Sequence, residues 1–167
     1  MPQVVRALGD DVSTDAIYPG RYMATVLPSE TKAHAFADDA AFNAALAAGA
    51  VAPGSVIVAG RNFGCGSSRE QAASCLKGHE LVVVARGFAR IFLQNAINVG
   101  LRVVAVPELR AVEGDTLELE PGRVTNRSSG QSFAVAPLAA SRAAIVEAGG
   151  LVAYTRQRIR GRAPLGA

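Results

Sequence analysis

The chain contains no tryptophan, only two cysteines and two histidines in 167 residues, and 5% aromatics. Two thiols, Cys65 and Cys75, are too few for a disulfide framework, and their spacing matches no zinc-ligand pattern, so a soluble chain with reduced thiols is expected. A metal site built from this chain alone is not. No apolar run approaches the roughly 18 residues of a membrane span, and the N-terminus lacks a basic-then-apolar export pattern. A cytoplasmic location without membrane contact follows as the expectation. Excess charge of one sign is also scarce, with 17 basic against 14 acidic residues and a net charge of +3. Much of the excess lies in TRQRIRGR near the C-terminus, expected to be a solvated, fraying basic extension over residues 156–167. With few aromatics and no basic cluster interleaved with them, nucleic acid is not an expected partner.

What is present is a 50% hydrophobic content, enough for one domain with a core of its own, placed at residues 1–155. Short β-rich runs alternate with helical segments. Val4–Leu8, Val56–Ala59, Leu81–Ala85 and Arg102–Val106 read as strands. Arg69–Leu76 and Phe88–Val99 read as the helices between the last three, giving a β-α-β-α-β core. The alanine-rich stretch Ser29–Ala48 predicts a helix stopped at Gly49. DTLELE, GRVTN and QSFAV predict a small antiparallel layer, and a last helix is expected near Leu138–Ala148. The fold class is therefore α/β, with a mixed sheet core and flanking helices.

RNFGCGSSREQ, residues 61–71, directly follows the apolar run SVIVAG. Gly64 and Gly66 supply a turn, while Ser67 with Glu70 and Ser68 with Gln71 fit capping-box spacing at a helix start. A glycine-flanked helix start also offers backbone N–H groups to an anion, and Arg69 adds a bidentate fork for a carboxylate or phosphate. The third glycine of a dinucleotide fingerprint and the lysine of a P-loop are absent. A Cys65 nucleophile needs a base, and neither His34 nor His79 is near it in sequence. His34 reads as a surface residue of the alanine-rich helix, and His79 as an ordinary residue at a strand entrance.

GRNFGCGSSREQA, preceded by DDVSTDAIYPGRYM and followed by ARGFARIFLQNAINVGL, resembles the small subunit of 3-isopropylmalate dehydratase, a separate swivelling domain of the aconitase superfamily. The resemblance implies a swivelling β/β/α fold and a hydro-lyase that isomerises 2-isopropylmalate and 3-isopropylmalate. It implies that Ser67 is the base that removes the proton next to a substrate carboxylate, and that Arg69 and Ser68 bind the substrate. Tyr22, Met23, Ala24, Thr25 and Val26 take the place of a loop in which tricarboxylate relatives carry an arginine, and an apolar wall there suits an alkyl substituent. A four-iron, four-sulfur cluster is implied as well, but its thiolate ligands belong to a large iron–sulfur subunit. This chain binds no cofactor in that reading, and Cys65 is a loop neighbour of the substrate.

One departure keeps related substrates open: Gln71 stands where many isopropylmalate subunits have histidine. A homoaconitase or 2,3-dimethylmalate dehydratase small subunit is the enzymatic alternative, and a stand-alone dicarboxylate-binding module the non-enzymatic one. The helix FARIFLQNAIN is expected to set Phe88, Ile91, Phe92 and Asn95 on one side, with its polar residues given no direct chemistry. Asp11, Ser13, Thr14 and Asp15 read as a turn braced by their own side chains.

Overall fold

The computed structural model describes residues 1–25 and 28–161. Four parallel strands, β1 (Val4–Ala7), β2 (Val56–Ala59), β3 (Val82–Ala85) and β4 (Arg102–Ala105), pair in chain order. Every residue of β2 and β3 is buried, which is why these strands read as unbroken apolar runs: a parallel sheet covered on both faces has no polar side. Alternation decides which face each side chain meets. Ile57, Ala59, Val83, Ala85 and Val103 join a core with the helices. Val56, Val58, Val82 and Val84 point the other way, into a second core shared with Leu117 and Val124.

That second core is closed by an antiparallel sheet of β5 (Leu117–Glu120), β6 (Arg123–Asn126) and β7 (Gln131–Ala134). The expected α/β fold is thus present as a β/β/α arrangement, its mixed strand content divided between one parallel and one antiparallel sheet. An Ala105–Ala136 bridge and a Gln3–Thr116 bridge stitch the two sheets together.

The helical layer consists of α1 (Thr14–Ile17), α2 (Pro28–Thr31), α3 (Ala40–Ala47), α4 (Gln71–Gly78), α5 (Arg90–Val99), α6 (Ala140–Glu147) and α7 (Leu151–Gly161). Helices α4 and α5 are the crossovers of the expected β-α-β-α-β core. Gly100 ends α5 in the left-handed conformation, φ 72°, which a residue with a side chain adopts only at a cost. The alanine-rich stretch is not one helix. After α2 and a 3-10 turn at Lys32–His34, Phe36 takes φ 51° and is buried against Phe42, ring centroids 5.3 Å apart. Asp39 then caps α3 by accepting from the Phe42 N–H at 3.2 Å. Burial of one phenylalanine, about 1.5–3 kcal/mol, outweighs the small helix preference of the alanines around it.

Near the C-terminus, α7 carries residues 156–161, the described part of the basic extension, and residues 156–160 are exposed. Residues 162–167 of that extension lie outside the described residues. No described helix is long and apolar enough to cross a membrane.

Candidate active site

The loops leaving the C-terminal ends of β1, β2 and β3 come together, at the edge where open parallel sheets bind their ligands. Loop 8–13 and loop 60–70 run side by side. Gly64 N–H donates to the Val12 carbonyl at 2.7 Å and Thr14 N–H to the Cys65 carbonyl at 2.8 Å. Asp10 accepts from Arg61 N–H at 2.7 Å, and Asp11 from the Asn62 amide at 2.8 Å. On the other side, Phe63 N–H donates to the Gly87 carbonyl at 3.0 Å, which brings in the segment after β3.

Beneath the loop, Phe63, Phe88 and Phe92 form an aromatic cluster, with Phe63 set edge-on to Phe92 at 5.1 Å. Gly64 is the hinge of this packing. Its φ is +83°, and a Cβ there would lie 2.2 Å from Phe92 Cγ, so neither the backbone nor the space admits a side chain.

Ser67 and Ser68 are exposed on this loop. Neither caps α4, although their spacing predicted it. The helix begins at Gln71 with Glu70 at its N-cap and no side-chain cap, the Glu70 carbonyl accepting from both Ala73 and Ser74 N–H at 2.9 Å. The Ser67 hydroxyl instead stands 3.1 Å from Thr14 Oγ1, which also accepts the Ser67 N–H at 3.2 Å. The Ser68 carbonyl accepts from the Asn95 amide at 3.2 Å. Asn95, given no chemistry on sequence grounds, therefore holds the serine loop to α5. Helix α5 differs from its expected face in two respects: Phe88 precedes it, and Ile91 is exposed.

Arg69 lies across the loop toward α1. Its Nη1 donates to Asp15 Oδ1 at 2.5 Å and to the Tyr18 carbonyl at 3.1 Å, and its side chain is 16% exposed. Hydrogen bonds from Arg69 and from Gly20 N–H hold the Asp15 carboxyl below its ordinary range. Arg69 Nε is buried without a partner among the described residues.

The segment Gly20–Thr25 borders Arg69 and α4. Gln71 donates to the Met23 carbonyl at 3.4 Å, Met23 and Ala24 are exposed, and Tyr22 and Thr25 are half-buried. Val26 lies outside the described residues. Tyr18 OH donates to the Tyr22 carbonyl at 2.9 Å. The Tyr22 ring stacks on His34 at 3.9 Å, 5° from parallel. His34 is thus half-buried packing for this loop, not a free surface residue. His79 sits beyond α4, its Nε2 2.8 Å from the Lys32 carbonyl.

Both thiols are free. Cys65 donates to the Asp11 carbonyl at 3.3 Å. Cys75 is buried in the core, donating to the Ala72 carbonyl at 3.3 Å, and burial pushes its pKa far up, against any thiolate role. Among the described residues, no group of three His, Cys, Asp or Glu side chains is placed to hold a metal ion.

The profile of the aconitase C-terminal domain matches residues 11–109, the segment that builds the loops just described. The 3-isopropylmalate dehydratase small subunit of Thermodesulfovibrio yellowstonii is 41% identical over 157 residues, covering 90% of each chain. That of Pyrobaculum neutrophilum is 46% identical over 154 residues, covering 89% of this chain and 91% of its own. The crystal structure of 3-isopropylmalate dehydratase from Methanocaldococcus jannaschii superimposes with a TM-score of 0.87 at 38% identity, over 98% of both chains. With sequence and fold in agreement over nearly its whole length, the chain belongs to the family of 3-isopropylmalate dehydratase small subunits, built on the aconitase C-terminal domain.

Proposed function

We propose that this chain is the substrate-handling half of a hydro-lyase that interconverts 2-isopropylmalate and 3-isopropylmalate by dehydration and rehydration. The observation that carries the reading is the pairing, on one braced loop, of an exposed serine with a partly exposed arginine that Asp15 and the Tyr18 carbonyl hold in place. In this reading Ser67 Oγ accepts the proton from the carbon next to a substrate carboxylate. Arg69 and Ser68 bind carboxylate oxygens, with the guanidinium holding its acceptor through its remaining donors. A serine hydroxyl is a weak base in water, so its alkoxide needs donors and positive charge nearby. Asp15 holds Arg69 in place while leaving part of its donor set free.

The four-iron, four-sulfur cluster of this chemistry, which polarises the leaving hydroxyl, does not fit the residues of this chain. Cys75 is sealed in the core, and two thiols fall short of a cluster's ligand set. The cluster is assigned to a large partner subunit, and the active site is completed when the two assemble.

The loop Tyr22–Thr25 is the proposed wall for the alkyl substituent. Exposed Met23 and Ala24 offer no group to pair with a third carboxylate. The test is reconstitution with the cluster-bearing subunit and a comparison of kcat/KM for 3-isopropylmalate, 2,3-dimethylmalate and homoaconitate. The isopropylmalate is expected to lead. Ala24→Arg is expected to move the ratio at least about tenfold toward homoaconitate, one new charge-assisted pair being worth that much. A lead for homoaconitate in the parent chain would replace the substrate assignment. Binding of dicarboxylates with no turnover in any reconstituted complex would favour a binding module instead.

A further inference from the structure

Thr14 is 2% exposed and opens α1, with its backbone N–H fixed on the Cys65 carbonyl at 2.8 Å. Among the described residues its side-chain oxygen makes two hydrogen-bond contacts, both to Ser67: the backbone N–H at 3.2 Å and the hydroxyl at 3.1 Å. A hydroxyl has one proton to give and two lone pairs. The Ser67 N–H occupies one lone pair, which leaves Thr14 with one O–H and one acceptor position facing Ser67 Oγ. While Ser67 is neutral, either hydroxyl can donate to the other. Once Ser67 loses its proton, its oxygen accepts only, and Thr14 is the donor at hydrogen-bond distance.

We propose that Thr14 is a positioning residue that fixes Ser67 through its N–H and donates its own O–H to the Ser67 alkoxide, making the deprotonated serine accessible. The inference rests on the reading of Ser67 as the base. In the working cycle the proton that leaves Ser67 passes to solvent, to which this residue is open. The alkoxide then takes the substrate proton and becomes the Ser67 hydroxyl; the C–H electron pair forms the alkene as the neighbouring carbon loses its hydroxyl, and in rehydration the same Ser67 hydroxyl returns a proton to carbon. Thr14 keeps its own proton throughout. The charged and titratable groups on the two loops and α1 are Asp10, Asp11, Asp15, Arg61, Cys65, Arg69 and Glu70, while α5 meets the serine loop with the neutral Asn95. Asp15 is itself tied to Arg69, so Thr14 is the neutral donor placed directly on the serine oxygen.

The test uses the complex reconstituted with the large subunit and three variants, Thr14→Val, Thr14→Ser and Ser67→Ala. Valine keeps the buried shape and deletes the hydroxyl; serine keeps the hydroxyl and deletes the methyl. For Thr14→Val, kcat at neutral pH is expected to fall about 10- to 100-fold, the size of a lost hydrogen bond to a charged group. The rising limb of its kcat–pH profile is expected to move up by about one unit or more, with activity recovering in alkali. Thr14→Ser keeps the limb in place even where its melting temperature drops. A uniform fall for Thr14→Val at every pH, or an unmoved rate, with Ser67→Ala inactive, overturns the role of Thr14 and leaves the base assignment standing. Full turnover by Ser67→Ala removes the base assignment and this inference together.

Discussion

Arg69 is the residue on which substrate binding and loop architecture meet. Its partner Asp15 is 62% exposed as a side chain, so the pair orders the guanidinium more than it stabilises the fold. The Asp15 pKa is lowered from 3.8, first by the hydrogen bond from Arg69 and next by that from Gly20 N–H. A depressed carboxylate contributes fully above its unfolded value and loses that contribution as pH falls through its folded one. The clamp on Arg69 is therefore intact at neutral pH and opens in acid below 3.8. Followed by carboxyl chemical shift, Asp15 is expected to titrate below 3.8 in the parent chain and higher in Arg69→Gln. The same midpoint in both proteins would show that the arginine is not what lowers it.

At the level of elements, the serine loop is held by contacts from three neighbours: Val12 from the loop after β1, Thr14 from the start of α1, and Phe92 and Asn95 from α5. Gly64 and Gly66 both have positive φ, but their surroundings differ. A Cβ on Gly64 collides with the Phe92 ring, whereas one on Gly66 meets nothing closer than Thr14 Oγ1 at 3.6 Å. Gly66→Ala is expected to cost about 1–2 kcal/mol, the left-handed backbone penalty alone. Gly64→Ala adds overpacking and is expected to lose about 3 kcal/mol or more. Urea denaturation of the two variants measures the difference; equal losses would mean that the Phe92 ring yields without penalty.

The molecule as a whole presents its loops at one edge of a sheet whose two faces are both covered, by helices on one side and by β5–β7 on the other. The edge carrying Ser67 and Arg69 leaves Ser67, Ser68, Met23 and Ala24 exposed, which suits the proposed site shared with a partner. Supplied with iron and sulfide, the chain alone is expected to remain without iron–sulfur absorption and without turnover, and to support turnover once the cluster-bearing subunit is added. Cluster absorption that forms on the isolated chain and co-elutes with it would contradict a divided site.

Much of this was legible along the chain. The runs SVIVA and LVVVA are β-branched and unbroken because both sheet faces are buried, so composition alone marks β2 and β3, and the three ordered motifs point to the family. Local spacing misled where tertiary contacts competed with it. The two S-x-x-E/Q boxes are real in sequence, yet Thr14 takes the Ser67 hydroxyl and N–H, and α4 starts at Gln71. The alanine run breaks because Phe36 is drawn into the core. The pairs that make the site, Thr14 with Ser67 and Asp15 with Arg69, lie 53 and 54 positions apart. Helical and strand periods are written in neighbours a few residues away, whereas these contacts exist only because β1 and β2 lie side by side and in parallel, which delivers both loops to the same edge.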